Sequence, residues 1–393
     1  MLKKLVYSLM AATLLCGAVS CQESMSHLSK RVFKVAAQQY TLMDARLAPG
    51  TMPRTLHPDG SVRDADRITW WCSGFYPGSL WYIYENTGDE AIKDLAWKYT
   101  HYLDTIVRAK THHDIGFQVN SSFGNAYRLT GDKDCLPVIE AAAAKLAGRF
   151  SPITGTTKSW ETSKKWVYPV IIDNMMNLEL LEVASKLFSC DSLNQIALTH
   201  ARTTIKNHFR DDYTTFHLVD YNPEDGDVIK RCTVQGYADS SAWARGQAWG
   251  LYGYTMMARE TGEADMLAQA EGIADMLLAR LPEDGVPYWD FDAPDIPNAL
   301  RDASAGAVMA SAFLDLSGLT ADKARAKACV AMAEKQIRTL ASEEYLAKVG
   351  DNGNFLLKHS VGSLPANSEV DVPLTYADYY FLEALTKLGK LSK

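Results

Sequence analysis

Two short motifs in this chain of 393 residues set a carboxylate just ahead of an apolar, helix-like segment: His112-His113-Asp114-Ile115-Gly116-Phe117 and Ile171-Ile172-Asp173-Asn174-Met175-Met176-Asn177. Paired carboxylates are the usual equipment for protonating and hydrating carbohydrates. Taken singly, an Asp before a helix is more often an N-cap, accepting the N–H groups that the first turn leaves unpaired. The surroundings shift that balance. Ile171, Ile172, Met175 and Met176 wrap Asp173 in apolar groups. Burial of this kind, or the charge of a second carboxylate, holds a carboxyl protonated to higher pH.

Other polar stretches also precede apolar segments. They are Trp70-Trp71-Cys72-Ser73-Gly74-Phe75-Tyr76-Pro77-Gly78, the run from Asp239 through Arg245 to Trp249, Arg301-Asp302-Ala303-Ser304-Ala305-Gly306, and Tyr376-Ala377-Asp378-Tyr379-Tyr380-Phe381. If the helices that follow all start at one end of the molecule, these residues converge on a cavity of Trp, Tyr, Asp and Arg. Aromatic faces stack on sugar rings, and Arg and carboxylates bind carboxylates and hydroxyls, so such a cavity suits an acidic carbohydrate. Asp302 and Asp378 read as helix caps. Arg245 reads either as an ion pair with Asp239 or a neighbouring cap, or as a ligand for an acidic group. His113 and His217 read either as core histidines or as substrate contacts.

The elements that must position these residues form a degenerate repeat. Gly78 to Asp89, Phe123 to Asp132 and Trp249 to Glu263 each run as an apolar, aromatic helix into a Gly-containing turn with acidic residues after it. Weaker copies run from Met175 to Leu187, Ala305 to Gly318 and Tyr379 to Gly389, with the Gly expected at a C-cap that needs a positive φ. Segments apolar on all faces read as fully buried helices, and amphipathic stretches such as Ala91 to Arg108 and Ala264 to Leu281 read as outer ones. Six buried helices alternating with six outer ones, roughly 45–75 residues apart, predict an all-α six-hairpin α/α barrel, a toroid rather than a strictly periodic solenoid. Strand signals are sparse. Asp227 to Thr233 is a candidate, short and peripheral.

The remaining composition narrows the function. The formal charge is −7, and two units more negative once Lys3 and Lys4 leave with a cleaved signal. That argues against nucleic acid as a partner. Lys3 and Lys4 precede the apolar run Leu5 to Leu15 and then Gly17-Ala18-Val19-Ser20-Cys21. The run is too short to span a bilayer permanently and reads as an export signal over residues 1–21. Small residues before Cys21 resemble a bacterial lipoprotein processing site, which would anchor the chain to a membrane by lipid at Cys21. The alternative is an ordinary signal that releases a soluble periplasmic protein. Residues 22–393 show no linker or charge block and read as one domain. Cys72, Cys135, Cys190, Cys232 and Cys329 lack ligand spacing, so no metal site is expected and free buried thiols are. No nucleotide loop or heme motif is present, and no cofactor is expected.

The motifs in this order resemble the unsaturated glucuronyl hydrolases, glycoside hydrolase family 88, from about Arg67 to Leu388. The resemblance implies a six-hairpin α/α barrel. It implies as substrate an unsaturated glycosaminoglycan di- or oligosaccharide, cut by a lyase and beginning with a 4,5-unsaturated uronic acid. It implies Asp173 as general acid and base and Asp114 as the second essential carboxylate. His113, His217, Gln235, Arg245 and Trp249 are similar to the family's substrate-binding residues, and Trp71 and Trp160 to its stacking platforms. Ser360 and Ser363 fit a sulfate-binding loop in which Pro365 stands where that pattern has a lysine. The alternatives are an unsaturated rhamnogalacturonyl hydrolase acting on pectin fragments and a non-catalytic glycan-binding lipoprotein.

Overall fold

The computed structural model describes residues 23–65, 68–110 and 112–391, so Cys21 and the signal lie outside the described residues. The helices in chain order begin with α1 (Met25–Arg46), α2 (Phe75–Thr87), α3 (Glu90–His101), α4 (Ile115–Val119), α5 (Asn125–Thr130) and α6 (Leu136–Ala147). They continue with α7 (Asn174–Phe188), α8 (Asp191–His208), α9 (Ala244–Thr261), α10 (Ala264–Arg280), α11 (Ala303–Leu319), α12 (Lys323–Leu340) and α13 (Thr375–Leu391). A π-helical turn, Asn120–Gly124, joins α4 to α5.

Two classes of helix are plain from burial. In α9 every residue from Ala244 to Ala258 is buried, and α2, α7, α11 and α13 are buried over most of their length. Alternate helices α3, α6, α8, α10 and α12 bury one stripe and expose the other, which fits their charged sequences. Each buried helix packs on the next in chain order, α2 on α5 and the π turn, α4 on α7, α7 on α9, α9 on α11, α11 on α13, and α13 packs back on α2.

The expected C-caps hold for three copies of the repeat. Gly88, Gly131 and Gly262 cap α2, α5 and α9 with φ of 68°, 69° and 72°, and each donates its N–H to a carbonyl of the last turn. The weaker copies differ. Ser189 takes the left-handed position after α7, while Gly318 and Gly389 lie inside α11 and α13. α11 runs one residue past Gly318 and α13 two past Gly389.

Strands are short and cluster at the loops. β1 (Pro53–Leu56) pairs with β2 (Val62–Asp64), and β3 (Phe150–Ser151) with β4 (Thr156–Thr157). β5 (Pro169–Ile171), β6 (Leu218–Tyr221) and β7 (Val228–Cys232) make an antiparallel sheet, and β8 (Ser360–Ser363) pairs with β9 (Ser368–Val372). The expected strand is thus real and peripheral: it is β7, the edge of this sheet, with residues 229–231 exposed. The strands nearer the site are β5, which leads directly into Asp173, and β6, which follows His217.

Candidate active site

Asp114 and Asp173 stand at the N-cap positions of α4 and α7, yet neither side chain makes a capping hydrogen bond. Asp302 shows the contrast. It caps α11 by accepting the N–H of Ser304 at 3.0 Å. Asp378 does not cap a helix end. It lies inside α13 and accepts the N–H groups of Leu356 and Leu357 at 2.8 and 2.9 Å.

The two uncapped carboxylates face one cavity of about 280 Å³, lined by Trp71, Asp114, Trp160, Ile171, Asp173, Val234, Gln235 and Arg245. Their electrostatics diverge. Burial lifts the Asp173 carboxyl from the ordinary 3.8 to about 7; Arg245 opposes this and the charge of Asp114 adds to it. Asp114 is also buried, but His113, His112 and Asn177 outweigh desolvation and hold it below the usual range. His112 Nδ1 lies 2.6 Å from Asp114 Oδ2. Near neutral pH one carboxyl is therefore poised between its two forms and the other is a carboxylate.

A buried imidazole attends each carboxyl. His113 Nε2 is 3.4 Å from Asp114 Oδ1, and His217 Nε2 is 3.8 Å from Asp173 Oδ2. Burial lowers the His113 pKa to about 4 and the His217 pKa to about 3, so both rings are neutral at pH 7. His217 Nδ1 accepts the Val234 N–H at 3.0 Å, which puts its proton on Nε2, toward Asp173. Asn177 fixes the same tautomer in His113. Its Oδ1 accepts the Phe117 N–H at 2.8 Å, so its Nδ2 is the group turned to His113 Nδ1, at 3.4 Å.

Arg245 pairs with Asp302 at 2.9 Å, not with Asp239, whose carboxylate takes the Thr233 N–H instead. Its guanidinium also donates to the carbonyls of Val361 and Gly362, both at 2.6 Å, tying β8 to the cavity wall. Gln235 reaches the same Gly362 carbonyl at 3.4 Å. Trp249 is fully buried behind the cavity, and its indole N–H also favours the Asp173 carboxylate. Trp71 packs against Phe117 and Tyr376, and Trp160 stands edge-on to His217.

Of the residues expected from sequence, Trp71, Asp114, Trp160, Asp173, Gln235 and Arg245 line the cavity itself. His113, His217 and Trp249 stand directly behind it. Ser360 is wholly buried and Ser363 partly so, both on β8 beside the wall. Sequence reasoning gave Asn177 no role, although its place one turn after Asp173 put both on one helix face. His112 and Trp243, whose ring lies 4.5 Å from the Arg245 guanidinium, were also given no role. His112, His113 and Asp114 offer donor atoms within 4.8 Å of one another, but His112 and Asp114 already satisfy each other.

Two carboxyls with separated pKa values, two neutral imidazoles and flanking indoles thus gather at one cavity, and comparison with known proteins assigns the class. No protein-family model matches the chain. It is 39% identical over 402 residues, 99% of each chain, to an unsaturated glucuronyl hydrolase of Formosa agariphila. It is 35% identical over 331 residues, 82% of each, to an unsaturated chondroitin disaccharide hydrolase of Streptococcus agalactiae. A crystallised unsaturated glucuronyl hydrolase specific for heparin superposes with a TM-score of 0.90 at 47% identity, covering 93% of this chain and 98% of that one. The chain belongs to the unsaturated glucuronyl hydrolases and is a glycosidase.

Proposed function

We propose that the protein removes the 4,5-unsaturated uronic acid from the non-reducing end of lyase-generated glycosaminoglycan oligosaccharides by hydrating the enol-ether double bond. The observation that carries this reading is the pairing, in one cavity, of a carboxyl with a pKa of about 7 and a second held ionised. The Asp173 carboxyl donates its proton to C4, and positive charge develops at C5, stabilised by the ring oxygen. The resulting Asp173 carboxylate then takes a proton from the water that adds to C5. The C5 hemiketal opens to a ketone, leaving C1 as a hemiacetal that releases the remaining sugar chain. One carboxyl thus serves both proton transfers. Asp114, with His113, holds the ring hydroxyls and keeps a negative charge beside Asp173.

Arg245 and Gln235 face the uronate, His217 and Trp249 back them from behind the cavity wall, and Trp71 and Trp160 stack on the sugar faces. The pectin-directed and non-catalytic readings find no support in the relatives, which are hydrolases of glucuronyl and chondroitin substrates. The deciding experiment is a panel of unsaturated chondroitin, hyaluronan, heparin and rhamnogalacturonan disaccharides, followed by loss of enol-ether absorbance. Turnover confined to the rhamnogalacturonan member would overturn the assignment.

The reading extends to architecture and location. We infer that the buried helices close a six-hairpin ring, supported by the packing of α13 on both α11 and α2. We also infer export with lipid at Cys21, supported by Lys3, Lys4 and the apolar run before it. Labelling cells with radioactive palmitate tests the anchor, because Cys21→Ser should lose the label.

A further inference from the structure

The cavity wall at Trp160 continues into a surface that the acid/base chemistry does not use. Trp160 and Trp166 both pack on the buried cluster of Ile171, Leu218 and Cys232, and Trp160 and Ile171 also line the cavity. Two indoles therefore flank one apolar ridge, one inside the cavity and one outside it. The strap between them, residues 161–165, is exposed throughout. It is nonetheless an ordered turn. Ser163 Oγ accepts the N–H groups of Lys165 and Trp166 at 3.2 Å each, and the Ser163 N–H bonds the Trp166 carbonyl at 2.8 Å.

This turn presents cations. The Lys165 ammonium lies 4.7 Å from the centre of the Trp166 ring. Lys164 is exposed beside it, and Ile229, Lys230 and Arg231 are exposed on β7. Lys230 stands opposite Asp220 across β6 and β7, and the Asp220 carboxylate accepts the Val167 and Tyr168 N–H groups just after the turn, which sets β7 beside it. Lys158 stands 5.7 Å from the Tyr168 ring in the same region. The nearby acids are engaged: Glu161 pairs with Arg149 at 3.0 Å, and Asp220 accepts the Val167 and Tyr168 N–H groups. Lys164 and Lys165 make no ion pair among the described residues. A basic, aromatic shelf on a chain of net charge −7 is a local reversal of sign at the entrance to the site.

We propose that this shelf binds the reducing-end extension of an anionic oligosaccharide, with Trp166 as a stacking face and Lys164, Lys165 and Lys230 meeting sulfate or carboxylate groups. The proposal rests on the exo-acting hydrolase reading above. A cavity of about 280 Å³ takes the terminal sugar, and the rest of the chain must leave over its rim. The Trp160 side of that rim carries the charge complementary to a polyanion.

The test compares wild type with K164A/K165A and with W166A on unsaturated di-, tetra- and hexasaccharides from one lyase digest. The expected result is disaccharide turnover within about twofold of wild type, with kcat/KM on the longer substrates lowered about tenfold through KM. For the lysine variant the wild-type advantage should fade in high salt, whereas the loss in W166A should persist. Equal effects at every length, or no effect at any, overturn the shelf. Hexasaccharide binding to the same two variants in the D173N background reads the shelf without turnover. Unaltered hexasaccharide affinity there overturns it, whereas failure of wild type to turn over the disaccharide overturns only the hydrolase reading.

Discussion

The Asn177 side chain joins the two carboxylate motifs through a single amide: Oδ1 accepts the Phe117 N–H at 2.8 Å, while Nδ2 faces His113 Nδ1 at 3.4 Å. Both contacts belong to the loop and helix that carry Asp114, while Asn177 itself sits one turn beyond Asp173. The close approach is possible because residue 116 is Gly. A Cβ there would come within 2.6 Å of Asn177 Oδ1 and 2.7 Å of its Cα. Asn177→Ala leaves a buried N–H unpaired, a cost of about 1–3 kcal/mol. We expect a lower Tm and a fall in kcat larger than any rise in KM, checked by melting and steady-state kinetics. An unchanged kcat with a lowered Tm would show that Asn177 only holds the fold.

Asp173 sets the basic limb of the pH profile. In the proposed reaction turnover starts from protonated Asp173 and ionised Asp114, so kcat/KM should fall as pH rises through about 7. Asp173→Asn should lose at least about a hundredfold in kcat while still binding the disaccharide. Asp114 raises the Asp173 pKa. In Asp114→Asn the residual activity should therefore lose its basic limb at lower pH than wild type.

The same shift makes Asp173 a stability liability. Its folded pKa lies above the unfolded value, so folding is unaffected below about pH 4, and the penalty grows as pH rises toward 7 and is complete above it. The full difference amounts to up to about 4 kcal/mol. Asp173→Asn should accordingly raise Tm at pH 8 and change it little at pH 4.5. Equal Tm changes at both pH values would refute the raised pKa independently of any kinetic measurement.

What the sequence made legible were the features written in short stretches of chain. Both Asp motifs, the cap glycines at 88, 131 and 262, and the alternation of wholly apolar with amphipathic helices all depend on neighbours within a few turns. The small sheet was not legible as a sheet. Pro169–Ile171 is too short for an alternating pattern, and its partner Leu218–Tyr221 lies across the whole of α7 and α8. That pairing, together with the Ile172 N–H bond to the His217 carbonyl at 3.0 Å, is what brings His217 to Asp173. Arg245 reads as pairing with Asp239 or with a cap, and the cap it meets is Asp302. Asp239 is near in sequence, whereas Asp302 reaches it only through the packing of α9 on α11.

The Arg245 and Asp302 pair is buried on both sides, with 2% and 0% of the side chains exposed. Removing one partner of such a pair strands the other charge, at a cost of about 3–5 kcal/mol. Arg245→Met should therefore lower the denaturation midpoint by that measure. It should also free β8 and β9 to proteolysis, because the carbonyls of Val361 and Gly362 lose their donors. Arg245→Lys keeps the charge but not the fork, and should recover part of the stability without restoring protection of the hairpin. If Arg245→Met left the hairpin as resistant as in wild type, the anchoring role would be wrong.

The glycines of the repeat give opposite expectations for one substitution. Gly262 adopts φ of 72° after α9, where an Ala must bear the left-handed strain, so Gly262→Ala should destabilise by about 1 kcal/mol. Gly318 lies within α11, and nothing stands within 4 Å of where its Cβ would be. Ala there removes the conformational freedom that Gly brings to the unfolded chain, so Gly318→Ala should stabilise by up to about 1 kcal/mol. Gly389, inside α13 and equally unobstructed, should follow Gly318. Urea denaturation of the three variants separates the cases. A loss of stability in Gly318→Ala would mean that α11 ends at its glycine, as the repeat suggested, and not at Leu319.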